Sequence, residues 1–595
     1  MLNEARFACA RFAVMESFLL IFLPLVALMV KQVALAEVFL WPQPRSISWG
    51  SGLPIFLSDS FHFRLPDQSP PELLLAASRY RRLIFREKWV PVAVSTNKTS
   101  FVADVIPLEL SYLTVSVADL HADLQQGVKE GYTLTIPDGG GSNTSLKADT
   151  VWGALHGFET FSQLVQWDKV AGKVVLERGV TLSDAPLYGY RGIMLDVARN
   201  FYPIPDLMRT VRAMAHNKLN VLHLHFTDSQ SFPLEILSEP ELASKGTFGP
   251  QFIYYASDIR RLVSYARYYG VRIVPEIDNP GHSGSWAGAY PDLVTCYDKF
   301  WLPDMAVEPA PGQLNPLKNE TYRVLKNVID DVASAFPDQL FHGGKDEPIT
   351  ACWESSPDIA EYLKQGNNTL STLLEKFVRL THPYITSNNK TAIYWEDILL
   401  SDDVHVSSSF LPPETTILET WNEGPLNTKR LTAAGYRTIV ASADFYYLDC
   451  GIGDFVGNNT NVDQQVNPTP GTPSYNYGGS GGSWCAPYKT WQRIYDYDIT
   501  YNLTKEEAGL VMGGEVCLWS EQADETVLDG LLWPRASALA ESLWSGNRDG
   551  KGERRSVDAL YRLSDWRYHM VSRGIKAMPI QPLWCLKHPG ECNYA

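Results

Sequence analysis

LFHGGKDEP, Leu340 to Pro348, begins as an apolar strand and ends in two adjacent carboxylates, Asp346 and Glu347. Neighbouring residues of an extended strand point to opposite faces, so two acids at its end can be given different surroundings and different work. Alone, an Asp–Glu pair reads as a solvated acidic loop, because charged side chains are mostly surface. The segments on either side decide against that. Strand-like stretches recur as YRGIMLDV (190–197), NVLHLHFTD (220–228), VRIVPEID (271–278), LFHGGKDE (340–347), TAIYWED (391–397), TILETWN (416–422), RTIVASADFYYLD (437–449) and GLVMGGEVCLWSE (509–521). Between them, Ile204, Leu207, Met208, Val211, Met214 and Ala215 keep the i, i+3, i+4, i+7 period of a helix. Ile259, Leu262, Val263 and Ala266 do the same, with Ser257 the expected cap, as do Leu325, Val328, Ile329, Val332 and Phe336. Eight strands alternating with helices predict an α/β fold, a (β/α)8 TIM barrel.

Polar residues gather at one end of these strands. Asp228, the turn from Asp278 to His282, Asp346, Glu347, Trp395, Trp421, Tyr447, Asp449, Trp519 and Glu521 all fall at C-terminal strand ends, the face on which barrel enzymes build their sites. Carboxylates grip hydroxyls and indole faces cover the apolar side of a pyranose, so the set describes a saccharide pocket. His223 and His225 alternate along the second strand and read as barrel packing. Glu396 and Glu423 lie near the same rim and are set aside. Ahead of the barrel, residues 37–183 read as a smaller α+β domain, with LTVSVA (113–118) and GYTLTIP (131–137) as strands. ELLLAASRYRRLIF (72–85) and VWGALHGFETFSQLVQ (151–166) are its helices. A break at Ser183–Pro186 leaves residues 184–595 to the barrel.

The formal net charge of −16 over 595 residues repels phosphate backbones and argues against nucleic acid as a partner. Residues 1–36 order Arg6 and Arg11, the apolar run Phe18 to Val30 and the small-residue site Ala34–Ala36 as a secretory signal does. The run is shorter than the roughly 20 residues a spanning helix needs. Cleavage after Ala36 is therefore expected, and an uncleaved signal anchor giving membrane association through the N-terminus is the alternative. Sequons at Asn97, Asn143, Asn319, Asn367, Asn389, Asn458 and Asn502 agree with the secretory pathway, placing the protein outside the cell, in the wall or at the plasma membrane rather than in the vacuole. Cys9 leaves with the signal and the other cysteines all lie in the second half, where an oxidising compartment permits disulfides. Cys585 and Cys592 are near enough to close a small loop; spacing fixes no other pairing. No CxxC pair or histidine cluster has metal-ligand spacing, and a structural zinc is disfavoured.

Five ordered motifs resemble the family-20 glycoside hydrolases, the β-N-acetylhexosaminidases, and most nearly those of plant type. They are YRGIMLDVARNFYP (190–203), MAHNKLNVLHLHFTDSQSFP (214–233), PEIDNPGHSGSW (275–286), HGGKDE (342–347) and GGEVCLWSE (513–521). The resemblance covers nearly all of the mature chain. It implies an exo-acting, retaining hydrolase in which the carbonyl oxygen of the substrate's 2-acetamido group attacks the anomeric carbon and forms an oxazolinium ion. By position, Glu347 is the general acid and then base, Asp346 orients the acetamide, Tyr447 bonds the acetamide oxygen, and Asp228 with His282 forms a relay to Glu347. Arg199 would hold the 3- and 4-hydroxyls, Asp449 and Glu521 the outer ones, and Trp395, Trp421 and Trp519 the walls. The implied partner is a terminal N-acetylhexosamine of a glycoprotein or chitooligosaccharide; no metal or organic cofactor is implied, and a homodimer is compatible.

The chain departs from the family pattern at four places. Lys345 replaces the second of two glycines before the acid pair, and on a continuous strand it would share a face with Glu347 and lower its pKa. That weakening gives the alternative reading, a carbohydrate-binding protein on the same barrel. Leu224 stands for a tryptophan, and Ser229 for a second acid after Asp228. Cys450 stands where some relatives have an arginine associated with acidic sugars, which disfavours sulphated substrates. Beside these, Cys450 is expected to pair with Cys485, and Cys296 with Cys352, leaving Cys517 as the free thiol.

Overall fold

The computed structural model describes residues 39–592 apart from 51–53, 93–107, 139–142, 170, 177, 301, 303, 454 and 456–482. The signal region, and the sequons at Asn97 and Asn458, lie outside the described residues. Among the described residues no helix is long and apolar enough to cross a membrane.

Eight parallel strands close a barrel in chain order: β1 (Tyr190–Asp196), β2 (Val221–His225), β3 (Arg272–Glu276), β4 (Leu340–His342), β5 (Thr391–Trp395), β6 (Thr416–Thr420), β7 (Arg437–Val440) and β8 (Val511–Leu518), with β8 returning to β1. These strands are almost entirely buried, as strands covered on both faces must be, and their sequences accordingly run apolar rather than alternating. Helices cover the outside, among them α1 (Ile204–His216), α2 (Ala256–Arg267), α3 (Asn319–Ala335) and α4 (Leu370–Thr386). Each turns one apolar stripe inward; α1 buries Ile204, Leu207, Val211 and Met214. The α2 N-terminus begins two residues earlier than expected. Its cap is Tyr255, whose main-chain N–H donates to Asp258, and Ser257 lies inside the first turn.

Inside the barrel two layers differ. At the bottom, Tyr190, Val221, Val274, Leu340, Ile393, Ile417 and Ile439 form an apolar plug. Above it the interior turns ionisable, with His223, Glu276, His342, Glu419 and Glu515 all buried.

Before the barrel lies an eight-stranded mixed sheet, Ser46 to Asp184, carrying helices Pro71–Glu87 and Val151–Leu164. Every residue of the second helix is buried, because it is pressed between its own sheet and the barrel. Its polar residues are satisfied across that junction. Glu159 takes Arg573 at 2.7 Å and His216 at 2.9 Å, and His156 meets Glu130, which itself holds Arg191 at 2.8 Å. Nearby, Lys218 reaches Asp184 at 2.9 Å, and Glu87 meets His569 at 2.7 Å and Arg573 at 3.2 Å.

Candidate active site

The fourth strand is much shorter than its sequence suggests. It stops at His342, and Gly344, Lys345 and Glu347 take φ values of 62°, 84° and 47°, so the chain coils instead of extending. Gly344 has no alternative: a Cβ there would lie 1.7 Å from Asp278 Oδ1. The two-residue alternation of a strand therefore does not govern Asp346 and Glu347. Both line one pocket and differ in depth rather than in face.

That pocket, about 740 Å³, opens at the C-terminal end of the barrel. Ten expected residues line it: Arg199, His282, Asp346, Glu347, Trp395, Trp421, Tyr447, Asp449, Trp519 and Glu521. Asp228 is fully buried behind them. Tyr447 and Asp449 are not on a strand, since β7 ends at Val440. They are placed by a bridge between Tyr447 and Cys517 and by the main-chain N–H of Trp519, which donates to Asp449 over 3.5 Å.

A chain of groups leads into Glu347. His282 Nε2 lies 3.3 Å from Glu347 Oε2, His282 Nδ1 lies 3.2 Å from Asp228 Oδ1, and Asp228 Oδ2 lies 2.9 Å from His225 Nε2. His225 Nδ1 continues at 2.7 Å to Glu276, which also lies 3.0 Å from His223 and from His342. His223 and His225 are thus more than packing: both belong to the buried network that backs the acid. Burial opposes the charge on Asp228, yet Arg199 and His282 overcome it and hold the carboxyl well below its usual range. Burial likewise opposes a charged His282, but Asp228 and Asp346 raise it far above an ordinary imidazole. The pair is an imidazolium held by a carboxylate. Both ring nitrogens of His223 and His225 and Nδ1 of His342 lie within 3.0 Å of carboxylate oxygens, while His342 Nε2 stands 3.6 Å from Glu419, so the histidines and acids of this cluster are spent mainly on one another.

Asp346 is buried, with Oδ1 out of reach of solvent and of any nitrogen donor, and burial raises its pKa. Oδ1 faces inward, where the carboxyl shares a hydrogen bond with Asp278, so the other oxygen, Oδ2, 3.6 Å from His282 Nε2, is the one the pocket can reach. Glu347 is the more open of the two, its side chain 25% exposed. Arg199 sits among carboxylates, 2.9 Å from Asp228, 2.8 Å from Glu308, 3.3 Å from Asp196 and 3.9 Å from Glu521, with its guanidinium over the Trp519 ring. Trp395 donates its indole N–H to Glu276 over 2.8 Å, and Trp421 donates to Asp397 over 2.5 Å, so two walls are fixed by hydrogen bonds as well as packing. Burial pushes Asp449 up to about 7.

Sequence reading missed Glu308, Asp397 and Trp484. Glu308 belongs to an irregular stretch with no period to mark it. Asp397 also accepts the main-chain N–H of Glu347 over 3.4 Å, and burial together with Asp346 and Glu347 pushes it up to about 7. Its second-place position after Trp395 was the available signal. Trp484, 68% exposed, meets Trp421 and Tyr447 edge-on at the pocket's lip. Glu396, set aside, accepts from Asn422 and Asn427 and holds a turn.

The three expected disulfides are formed, Cys296–Cys352, Cys450–Cys485 and Cys585–Cys592, and Cys517 is a buried free thiol. Cys450–Cys485 joins the residue after Asp449 to the residue after Trp484.

The family description "Glycosyl hydrolase family 20, catalytic domain" matches residues 188–547, and "beta-acetyl hexosaminidase like" matches residues 40–164. The chain belongs to glycosyl hydrolase family 20. This family-20 chain is 41% identical to beta-hexosaminidase 1 of Coccidioides posadasii, over 93% of this chain and 94% of that protein. It is 40% identical to the beta-hexosaminidase of Emericella nidulans over 94% and 96% respectively. Among solved structures, an exo β-N-acetylglucosaminidase from Vibrio harveyi superposes with a TM-score of 0.70 at 20% identity, covering 93% of this chain and 80% of that one, a likeness of fold.

Proposed function

We propose that this family-20 glycosidase removes terminal, non-reducing β-linked N-acetylglucosamine and N-acetylgalactosamine from N-glycans or chitooligosaccharides, through a retaining reaction assisted by the substrate's acetamide. The observation that carries the reading is the pairing, in one pocket, of a more open acid relayed through His282 with a buried one backed by Asp278. Glu347, touched by the His282 imidazolium, faces the pocket and protonates the departing oxygen. Asp346, held from behind by Asp278, offers Oδ2 to the acetamide N–H, aiming the carbonyl oxygen at the anomeric carbon and stabilising the positive charge that develops there. The C–O bond to the leaving group breaks as the acetamide C–O bond forms. Glu347, now ionised, takes a proton from the water that opens the oxazolinium. Tyr447 donates to the acetamide oxygen, and Arg199, Asp449 and Glu521 bind ring hydroxyls.

Purified protein should hydrolyse a chromogenic β-N-acetylglucosaminide and leave the matching β-glucoside, which has no acetamide, untouched. Binding without turnover would instead support a carbohydrate-binding protein. The motive for that rival was Lys345, and its side chain turns away from Glu347. Five described sequon asparagines, Asn143, Asn319, Asn367, Asn389 and Asn502, are exposed, which supports a route through the secretory pathway to the cell surface, wall or exterior. The plant-type placement rests on the motif spelling, since the relatives named above are fungal. Membrane attachment through the N-terminus, and a homodimer, are further proposals for detergent partitioning and sedimentation to test.

A further inference from the structure

Lys345 occupies a left-handed backbone position, φ 84°, that suits the glycine of the family pattern and that a side chain adopts only when its surroundings compel it. The surroundings are specific. The side chain is 2% exposed and runs outward between β5 and α4, beside the rings of Tyr394 and Phe377. Its Nζ donates to Asn279 Oδ1 at 2.5 Å, to Asn279 O at 3.1 Å and to Gly343 O at 2.9 Å. Three oxygens match the three hydrogens of an ammonium. The main-chain N–H of the same residue donates to Asp278 Oδ1 over 3.2 Å.

Those contacts join two loops. Asp278 and Asn279 begin the turn after β3 that carries His282; Lys345 itself belongs to the turn after β4 that carries Asp346 and Glu347. The separations that depend on both turns are His282 to Glu347, 3.3 Å, and His282 to Asp346, 3.6 Å. Two carbonyl oxygens and a side-chain amide on a strained cation are more than filling requires.

Resting on the function proposed above, we infer that Lys345 is a positioning residue: its ammonium clamps the β3 turn to the β4 turn through Asn279 and so sets the registration of His282 against Glu347 and Asp346. This differs from the effect expected of a lysine on Glu347's own face, because the cation acts through hydrogen bonds to the neighbouring loop. The groups facing it are Asp278 and Glu276 from β3 and its turn, Asp346 beside it, Tyr394 on β5 and His382 on α4.

The test is a double-mutant cycle on the full chain with a chromogenic N-acetylglucosaminide. Lys345→Gly removes the clamp and relieves the backbone, so its Tm should not fall. Its kcat should drop about ten-fold, the scale at which small displacements tell on catalysis, with KM within two-fold. Asn279→Ala reads the clamp from the other end and should also lower kcat. The double variant should be no slower than the slower single one, because both remove one interaction. A Lys345→Gly enzyme with wild-type kcat overturns the clamp. So do losses that multiply in the double variant, which would place the lysine's effect elsewhere. A wild type that turns over no N-acetylhexosaminide overturns the functional reading and this inference together; an active wild type separates them.

Discussion

Between the N-terminal sheet and the barrel, Arg573, Glu159, Glu87, His216 and His569 share one dry junction; at the barrel's upper end, Asp346, Asp278, Lys345 and His282 share another. Both bury several charges, yet their hydrogen bonding is opposite in kind. At the junction no buried side-chain nitrogen or oxygen of those five residues lacks a partner. At the upper end Asp346 Oδ1 and Asp278 Oδ2 receive no nitrogen or hydroxyl donor and the two carboxyls meet each other instead, and backbone strain accumulates at His282, Lys345 and Glu347. Buried polar groups are normally satisfied, so the difference separates charge that holds the molecule together from charge kept ready for something else.

The comparison makes opposite demands on paired substitutions. Glu347→Gln should lower kcat by about 10³-fold while leaving the Tm where it is; a variant of normal rate would remove Glu347 from its role. Arg573→Met should do the reverse. Stripping the cation from Glu159 and Glu87 should destabilise by about 3–5 kcal/mol in denaturant titrations, with the rate per folded molecule unchanged.

Acid should attack the junction next. Burial opposes ionisation of Glu130, but Arg191 and His156 draw it down to about 2, and Arg573 and His569 do the same for Glu87. Carboxyls depressed on folding bind more protons when unfolded, so their stabilisation is complete above the unfolded value near 4.3 and disappears as pH falls toward 2. The expected loss over that window is roughly 3 kcal/mol per group, seen as a falling Tm. Glu130→Gln should flatten part of that slope.

Asp346→Asn sharpens the contrast, because it removes a buried acid whose neighbour, Asp278, is another acid. Its Tm should hold or rise, by about 1 kcal/mol in stability, while turnover falls; a loss as large as that of Arg573→Met would erase the distinction between the two regions. The smallest effect is expected outside both. Lys245 and Glu241 form an exposed i,i+4 pair, and Lys245→Ala should shift stability by about 0.3–0.5 kcal/mol, less in high salt.

Much of this arrangement was legible beforehand, and where it was not the reasons are physical. Strands such as YRGIMLDV announce themselves because a doubly covered strand must be apolar, and ten of the eleven expected site residues line the pocket because the strand ends of a closed barrel, and the loops that follow them, converge on one face. LFHGGKDE reads as one continuous strand, whereas the strand ends at His342 and the positive φ values of Gly344 and Lys345 turn the lysine out of the pocket. Periodicity says nothing about a loop, so Glu308 was invisible. It also cannot say which inward residues are apolar plug and which are network, so His223 and His225 read as packing. Only the third dimension supplies Glu276 as their common partner.

The sulfur bridge between Cys450 and Cys485 holds its two Cα atoms 5.2 Å apart although 35 positions separate them in the chain. To a protein engineer that is a splice point. A peptide epitope or a small fluorescent domain inserted between the two cysteines would leave and rejoin the scaffold at the same narrow gap, whatever its length. The entropic cost of a longer insert grows only with the logarithm of its size. Asp449, just outside the bridge, and Trp484, just inside it, would be held in place by their neighbouring cysteines, and a reporter could ride at the pocket's lip of a working enzyme.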